Sequence, residues 1–225
     1  MNSLDARAFR GLGFFVVALA VLIFLPAGTL AYWQGWLYLV LAAASTSAIT
    51  FHLMRQDRHL LEHRLAAGPR AETDARQKLI QAIAQLAFVA LFLVSSLDHR
   101  LAWSHLPEFV VLLGDLLVVV GFGIVFLVFR ENSFTSATIE VQSDQRVIET
   151  GPYARVRHPM YSGALLMVLG TPLALGSLWG LVPFLAMLAV ITWRLLEEER
   201  LLKEKLPGYA GYVRKVRARL VPGLF

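Results

Sequence analysis

The sequence predicts an all-α, polytopic integral membrane protein with about six transmembrane helices. Three observations carry that prediction. First, 57% of the 225 residues are hydrophobic and only 16% are charged, against about 25% charged residues in a soluble domain, and the mean hydropathy is +0.60. Second, the uncharged runs are long enough to cross a bilayer several times. Third, nearly all basic residues collect on one side of the arrangement those runs imply.

The runs justify the elements in order. Gly11 to Met54 is 44 residues without Asp, Glu, Lys or Arg, room for two helices of about 20 residues each. PAGT (26–29) and YWQGW (32–36) near its middle predict a turn flanked by interfacial aromatics. A signal peptide would use Arg7 and Arg10 as its basic region. The run exceeds the roughly 7–15 residues of a signal core and lacks a small-residue cleavage site, so an uncleaved helix is expected. Leu79 to Leu97 supplies a third span of 19 residues, and Phe109 to Phe129, interrupted by Asp115, a fourth. Pro159 to Trp193, 35 residues, is short for two full spans and suits a tight hairpin turning at GSLWG (176–180).

On this arrangement 20 of the 21 basic residues share one side, with Arg100 alone on the other. Lys and Arg stay cytoplasmic, so both termini and the loop from Arg55 to Lys78 are expected in the cytoplasm. The net charge of +5 therefore reads as a topology signal and a surface for anionic lipid head groups, not as a nucleic-acid footprint. Cysteine is absent, which excludes disulfides, thiolate zinc sites and a cysteine nucleophile.

Few residues then stand out as chemistry. HLLEH (59–63) places two imidazoles at i and i+4 around Glu62, a zinc-protease spacing. No third ligand is indicated, and an amphipathic surface helix explains the stretch, so no metal is expected. Asp115 within an apolar run is costly and a functional candidate, unless its helix begins later and leaves it at the outer interface. TGPYARVRHPMYSG (150–163) is the strongest signal. Gly151-Pro152 makes a turn, and Arg155 and Arg157 are expected to anchor the interface. Pro159 suits the first turn of a helix, whose N-terminal amides attract an anion. Tyr153, His158 and Tyr161 add rings and hydrogen-bonding groups, and Gly163 permits close approach. RLLEEERLL (194–202) would lie beside that turn if the last two spans form a hairpin, with Arg194 and Glu198 on one face. Beyond Pro207-Gly208, the spacing of Tyr209, Tyr212, Val213, Val216 and Leu220 predicts a basic amphipathic helix on the membrane surface.

GPYARVRHPMYSG, the EEERLL that follows about thirty residues later and GYAGYVRKVRARLVPGL together resemble the isoprenylcysteine carboxyl methyltransferase family and, more distantly, the phospholipid N-methyltransferases. The likeness runs from about Asn132 to Phe225. It implies N-terminal transmembrane helices over residues 1–100 and a methyltransferase-like region over 101–225. It further implies a cytoplasmic S-adenosylmethionine pocket formed by the C-terminal half and a lipophilic or lipid-modified methyl acceptor. By the same resemblance Tyr153, His158, Pro159, Met160 and Tyr161 line the cofactor pocket. Gln142 and Arg146-Val147-Ile148 contact it from the preceding loop, Glu198 takes the cofactor ammonium, and Arg194 faces the acceptor. Integral-membrane sterol reductases, which use NADPH, look like more distant relatives, and a non-catalytic membrane scaffold is the alternative outside enzymes.

Overall fold

The computed structural model describes residues 3–65, 74–135 and 145–223. All regular structure among them is helical. Helices α1 (Ser3–Ala27), α2 (Trp33–Gln56), α4 (Ala75–Leu101) and α5 (Glu108–Glu131) are each long and apolar enough to cross a membrane. Helix α3 (Arg58–Leu65) is short, and α6 (Pro159–Ala174) and α7 (Leu181–Lys205) form the expected hairpin. Helix α6 has 16 residues, about 24 Å at 1.5 Å per residue, which is shorter than the bilayer core. Helix α7 begins in the apolar run and continues past it through its charged half. The fold is thus four full-length spans plus a short hairpin.

Local chemistry sets the boundaries. The α1–α2 turn falls at Gly28, whose φ of 67° lies in the left-handed region that glycine enters without penalty. Asp74 caps α4, its side chain accepting from the backbone N–H groups of Arg76 at 2.6 Å and Gln77 at 3.2 Å. At the far end of that helix Asp98 is fully buried. It accepts from the Ser104 amide and hydroxyl, both at 2.7 Å, and from the Ser177 hydroxyl at 2.5 Å. One carboxylate thereby fastens the α4–α5 loop to the α6–α7 turn. Nearby, Tyr32 stacks on His99 with centroids 3.8 Å apart and donates to the Leu175 carbonyl at 2.6 Å.

The tightest helix pair is α5 with α6, and glycines make it so. A Cβ at Gly114 would lie 2.3 Å from the Ala174 nitrogen, and one at Gly121 would lie 2.6 Å from the Gly163 carbonyl oxygen. Gly170 faces the Gly114 carbonyl in turn. The two backbones touch, as small residues permit in membrane helix pairs. Gly163 therefore admits α5 itself, which is the close approach its position implied. Large apolar side chains such as Phe14, Val17, Val21 and Leu25 stay exposed along one face of α1, as a lipid-facing helix requires.

Two sequence expectations are corrected here. Helix α5 starts at Glu108, so Asp115 is not at a late helix start. It is 4% exposed, and neither carboxyl oxygen has a hydrogen-bond partner among the described residues. The helix after Pro207-Gly208, α8 (Tyr209–Lys215), stops earlier than predicted, and its Tyr209 and Tyr212 are buried within the protein. Residues beyond it fold back over the start of α6 instead of lying along a membrane surface.

Candidate functional site

A single-turn 3-10 helix, Gly151–Ala154, leads into the first turn of α6. Thr150 donates to the Glu131 carboxylate at its base, and Gly151 turns there with φ of 57°. The turn is held from outside by the C-terminal tail. The Arg157 amide donates to the Ala218 carbonyl at 3.0 Å and the His158 amide to Arg219 at 2.9 Å. The Ser162 hydroxyl donates to the Leu220 carbonyl at 2.7 Å. Tyr212 donates to the Tyr153 carbonyl at 2.7 Å. The apolar face of α8 thus packs on the turn preceding α6.

Beneath the tail lies a charge cluster that spacing did not reveal. Glu199 is 3% exposed. Its carboxylate accepts from Arg157 Nε at 2.6 Å and Arg219 Nε at 3.2 Å, and lies 3.3 Å from His158 Nε2. Arg157 also donates to the Val216 and Arg217 carbonyls at 2.8 and 2.6 Å. Burial opposes ionisation of Glu199, but the hydrogen bonds from His158 and Arg157, with their charges, hold its carboxyl well below the usual carboxylate range. Arg157 is thus a buried structural cation, not the interface anchor expected of it. Arg155 is exposed.

The inner faces of these elements enclose an open cleft with about 910 Å³ of empty space, its mouth included. Arg146, Val147, Ile148, Tyr153, His158, Pro159, Met160, Tyr161, Arg194 and Glu198 all line it. The structure therefore brings together every predicted site residue it describes. Gln142 lies outside the described residues. Glu198 is oriented by Tyr161, whose hydroxyl donates to Oε2 at 2.6 Å. Arg194 Nη1 lies 3.4 Å from Gln77 Oε1 of α4. Tyr153 accepts from Asn132 Nδ2 at 3.0 Å, and burial pushes its hydroxyl above the ordinary tyrosine range, so it stays neutral. Asn132, Phe134, Tyr209 and Tyr212 complete the wall. The sequence reading missed them, although the helical spacing of the two tyrosines was a signal open to a second interpretation.

The His59–His63 pair reads as surface structure. The two ring nitrogens are 3.2 Å apart and exposed, and Glu62 pairs with Arg7 at 3.0 Å. No group of three or more His, Asp or Glu side chains suited to a metal occurs among the described residues.

Fold and site together define a polytopic, all-helical membrane protein whose C-terminal half builds a polar cleft at one end of its helices. Residues 109–207 match the family model described as phospholipid methyltransferase. That family includes isoprenylcysteine carboxyl methyltransferase-like proteins, so the resemblance carried by the motifs holds over the stretch from α5 through α7 that frames the cleft. At the level of the family the activity is methyl transfer at a membrane to a lipid-like acceptor. No curated protein matches the chain.

Proposed function

We propose that the chain is an S-adenosylmethionine-dependent methyltransferase that methylates the carboxylate of an isoprenylcysteine-like acceptor at the cytoplasmic face. The observation that carries this reading is the convergence of Glu198, Arg194 and the first turn of α6 on one cleft. The donor set fits the cofactor. Glu198 offers a carboxylate to an ammonium, the amides at the start of α6 favour a carboxylate, and Val147 and Ile148 offer apolar surface to a purine. Bound there, S-adenosylmethionine supplies a methyl group already activated on a sulfonium.

The protein's share of the work is alignment and exclusion of water. Tyr161 fixes Glu198, Gln77 fixes Arg194, and the tail closes the side of the cleft away from the membrane. Arg194 holds the acceptor's carboxylate. A carboxylate is ionised at pH 7, so its methylation to an ester needs no general base. That agrees with a cleft whose tyrosines are held neutral.

The family description favours a second reading, methylation of a phospholipid amine. An amine must shed a proton to accept the methyl group, and Glu198 is then the nearest acceptor for it. Purified protein with radiolabelled S-adenosylmethionine, offered S-farnesyl-N-acetylcysteine in one arm and phosphatidylethanolamine vesicles in the other, separates the two. Base-labile label on the farnesyl compound is expected. Label on the phospholipid alone would replace this reading with the second, and label on neither would reject both.

A further inference from the structure

The reading above gives the acceptor one cation, Arg194 on α7. Arg64, in the last turn of α3, reaches toward the same place from the N-terminal half. Its Cζ lies 5.0 Å from the Phe129 ring centroid on α5, and its Nη1 lies 3.9 Å from Met160 Sδ on α6. Met160 lines the cleft, and so does its neighbour Tyr161, which holds Glu198. Arg194 lines that cleft from the other side. Two guanidinium groups thus lie against the same first turn of α6.

We infer that Arg64 and Arg194 form a paired seat for the anionic end of the acceptor, so that a residue from the N-terminal half selects a carboxylate over a neutral group. Like charges held together in a partly buried site repel, and an anion between them relieves the repulsion. Burial lowers the Arg64 proton affinity first, Tyr161 opposes that, and the Arg194 charge lowers it further. An arginine stays charged under such pressure, so the repulsion is carried as positive potential. The contacts of Arg64 suit the role. A ring face and a thioether hold the guanidinium in place while drawing little on its five N–H donors. Phe129 and Met160 also fix it far more firmly than water would hold a surface arginine. The inference rests on the carboxyl-acceptor reading for the chemistry of the ligand, and its test therefore reads binding without methyl transfer.

The full chain in lipid nanodiscs is titrated with S-farnesyl-N-acetylcysteine and with its primary amide, following the fluorescence of its five tryptophans, with no methyl donor present. The wild type is expected to prefer the acid by about tenfold or more, the range of a charge-assisted hydrogen bond. Arg64→Gln should abolish that preference while amide affinity holds, and Arg64→Lys should reduce it, since lysine keeps charge but loses the planar fork. Arg64→Lys carries the test if the glutamine variant does not fold. Equal loss of acid and amide binding would show that Arg64 only anchors α3, and overturn the seat. An unaltered acid preference, or none in the wild type, would overturn it too. Methyl transfer that fails while the acid preference still depends on Arg64 would reject the catalytic reading and leave the seat standing.

Discussion

Tyr161 donates its hydroxyl to Glu198 Oε2 at 2.6 Å, joining the first turn of α6 to α7 across the cleft. The bond orients the carboxylate before any ligand arrives, which lowers the ordering cost of binding. Glu198→Gln keeps the shape and can still accept from Tyr161, but removes the charge. Its affinity for S-adenosylhomocysteine, measured by calorimetry, should fall by about 10- to 150-fold, equivalent to about 1.5–3 kcal/mol for a hydrogen bond to a charged group. Tyr161→Phe keeps the charge and loses only the orienting bond, so a smaller loss is expected. Full affinity in Glu198→Gln would remove this residue from the cofactor site.

Its neighbour Glu199 points the other way and is expected to govern stability. Glu199→Gln would leave Arg157 buried without its counter-charge, and breaking a buried pair in this manner costs about 3–5 kcal/mol. A fall in the thermal midpoint is the expected readout, larger than for Glu198→Gln. The pH dependence has a definite sign. The folded protein holds the Glu199 carboxyl below its ordinary value of 4.5, so the ionised group stabilises the fold above that value. The contribution is lost as pH falls through the acid range below it. Unfolding scans from about pH 5 to about pH 3 should show a declining midpoint in the wild type and a flatter one in Glu199→Gln. Parallel curves would mean the cluster is held together by the tail carbonyls alone.

These two glutamates show how far sequence reasoning reached. The uncharged runs located the spans because backbone satisfaction in lipid leaves little choice but helix. The RHP turn and the acidic stretch of α7 were legible as a site because polar groups and a helix start clustered at one membrane boundary. Which of Glu197, Glu198 and Glu199 faces the cleft was resolved for Glu198 only by resemblance, and the burial of Glu199 went unseen. Three consecutive acids spread over most of a helical turn, and only the position of α6 decides among them. Arg157 was misread for a related reason: its partners Val216, Arg217 and Glu199 are more than forty residues away in sequence. Arg64 carried no local signal, since its neighbours Phe129 and Met160 come from other helices.

The glycine contact between α5 and α6 should be sharply position-dependent. A Cβ at Gly121 would stand 2.4 Å from Met167 Cγ and 2.6 Å from the Gly163 carbonyl oxygen, whereas one at Gly123 meets nothing within 4 Å. Gly121→Ala must therefore push the helices apart, at a cost of about 1–3 kcal/mol, and shift the turn that carries His158 and Tyr161. Gly123→Ala, two residues away, should be neutral or stabilising by up to about 1 kcal/mol from helix propensity. Thermal midpoints of the two variants in the same detergent test the seam. Equal behaviour would show that α5 and α6 slide freely past one another.

The cleft, the start of α1 and the C-terminal tail share one end of the helices, and the basic residues predict that this end is cytoplasmic. With no native cysteine, single cysteines report without interference. Ala210 on α8 and His105 in the α4–α5 loop are both exposed and lie at opposite ends. His105→Cys should react with an impermeant maleimide added to intact cells, and Ala210→Cys only after the membrane is opened. The reverse pattern would place the cleft on the outer face.

Arg194 tests the chemistry most directly. It lies four residues before Glu198, about one turn or roughly 5.4 Å deeper toward the apolar half of α7, where a lipophilic acceptor would bring its polar end. Its guanidinium is steadied by Gln77 Oε1 at 3.4 Å. A guanidinium holds a carboxylate with two parallel hydrogen bonds, which a lysine ammonium cannot reproduce. Arg194→Lys is therefore expected to lower methyl transfer by about tenfold or more, mainly through the KM for the acceptor, while S-adenosylhomocysteine affinity stays near that of the wild type. Gln77→Leu, which removes the steadying oxygen but leaves the cation, should raise the same KM less. A helix-surface role for Arg194 would leave turnover intact in the lysine variant, and that result would end its assignment to the acceptor. Loss of cofactor binding instead would mean that Arg194 acts by positioning Glu198 one turn away, because only the cofactor side of the cleft would then have been disturbed.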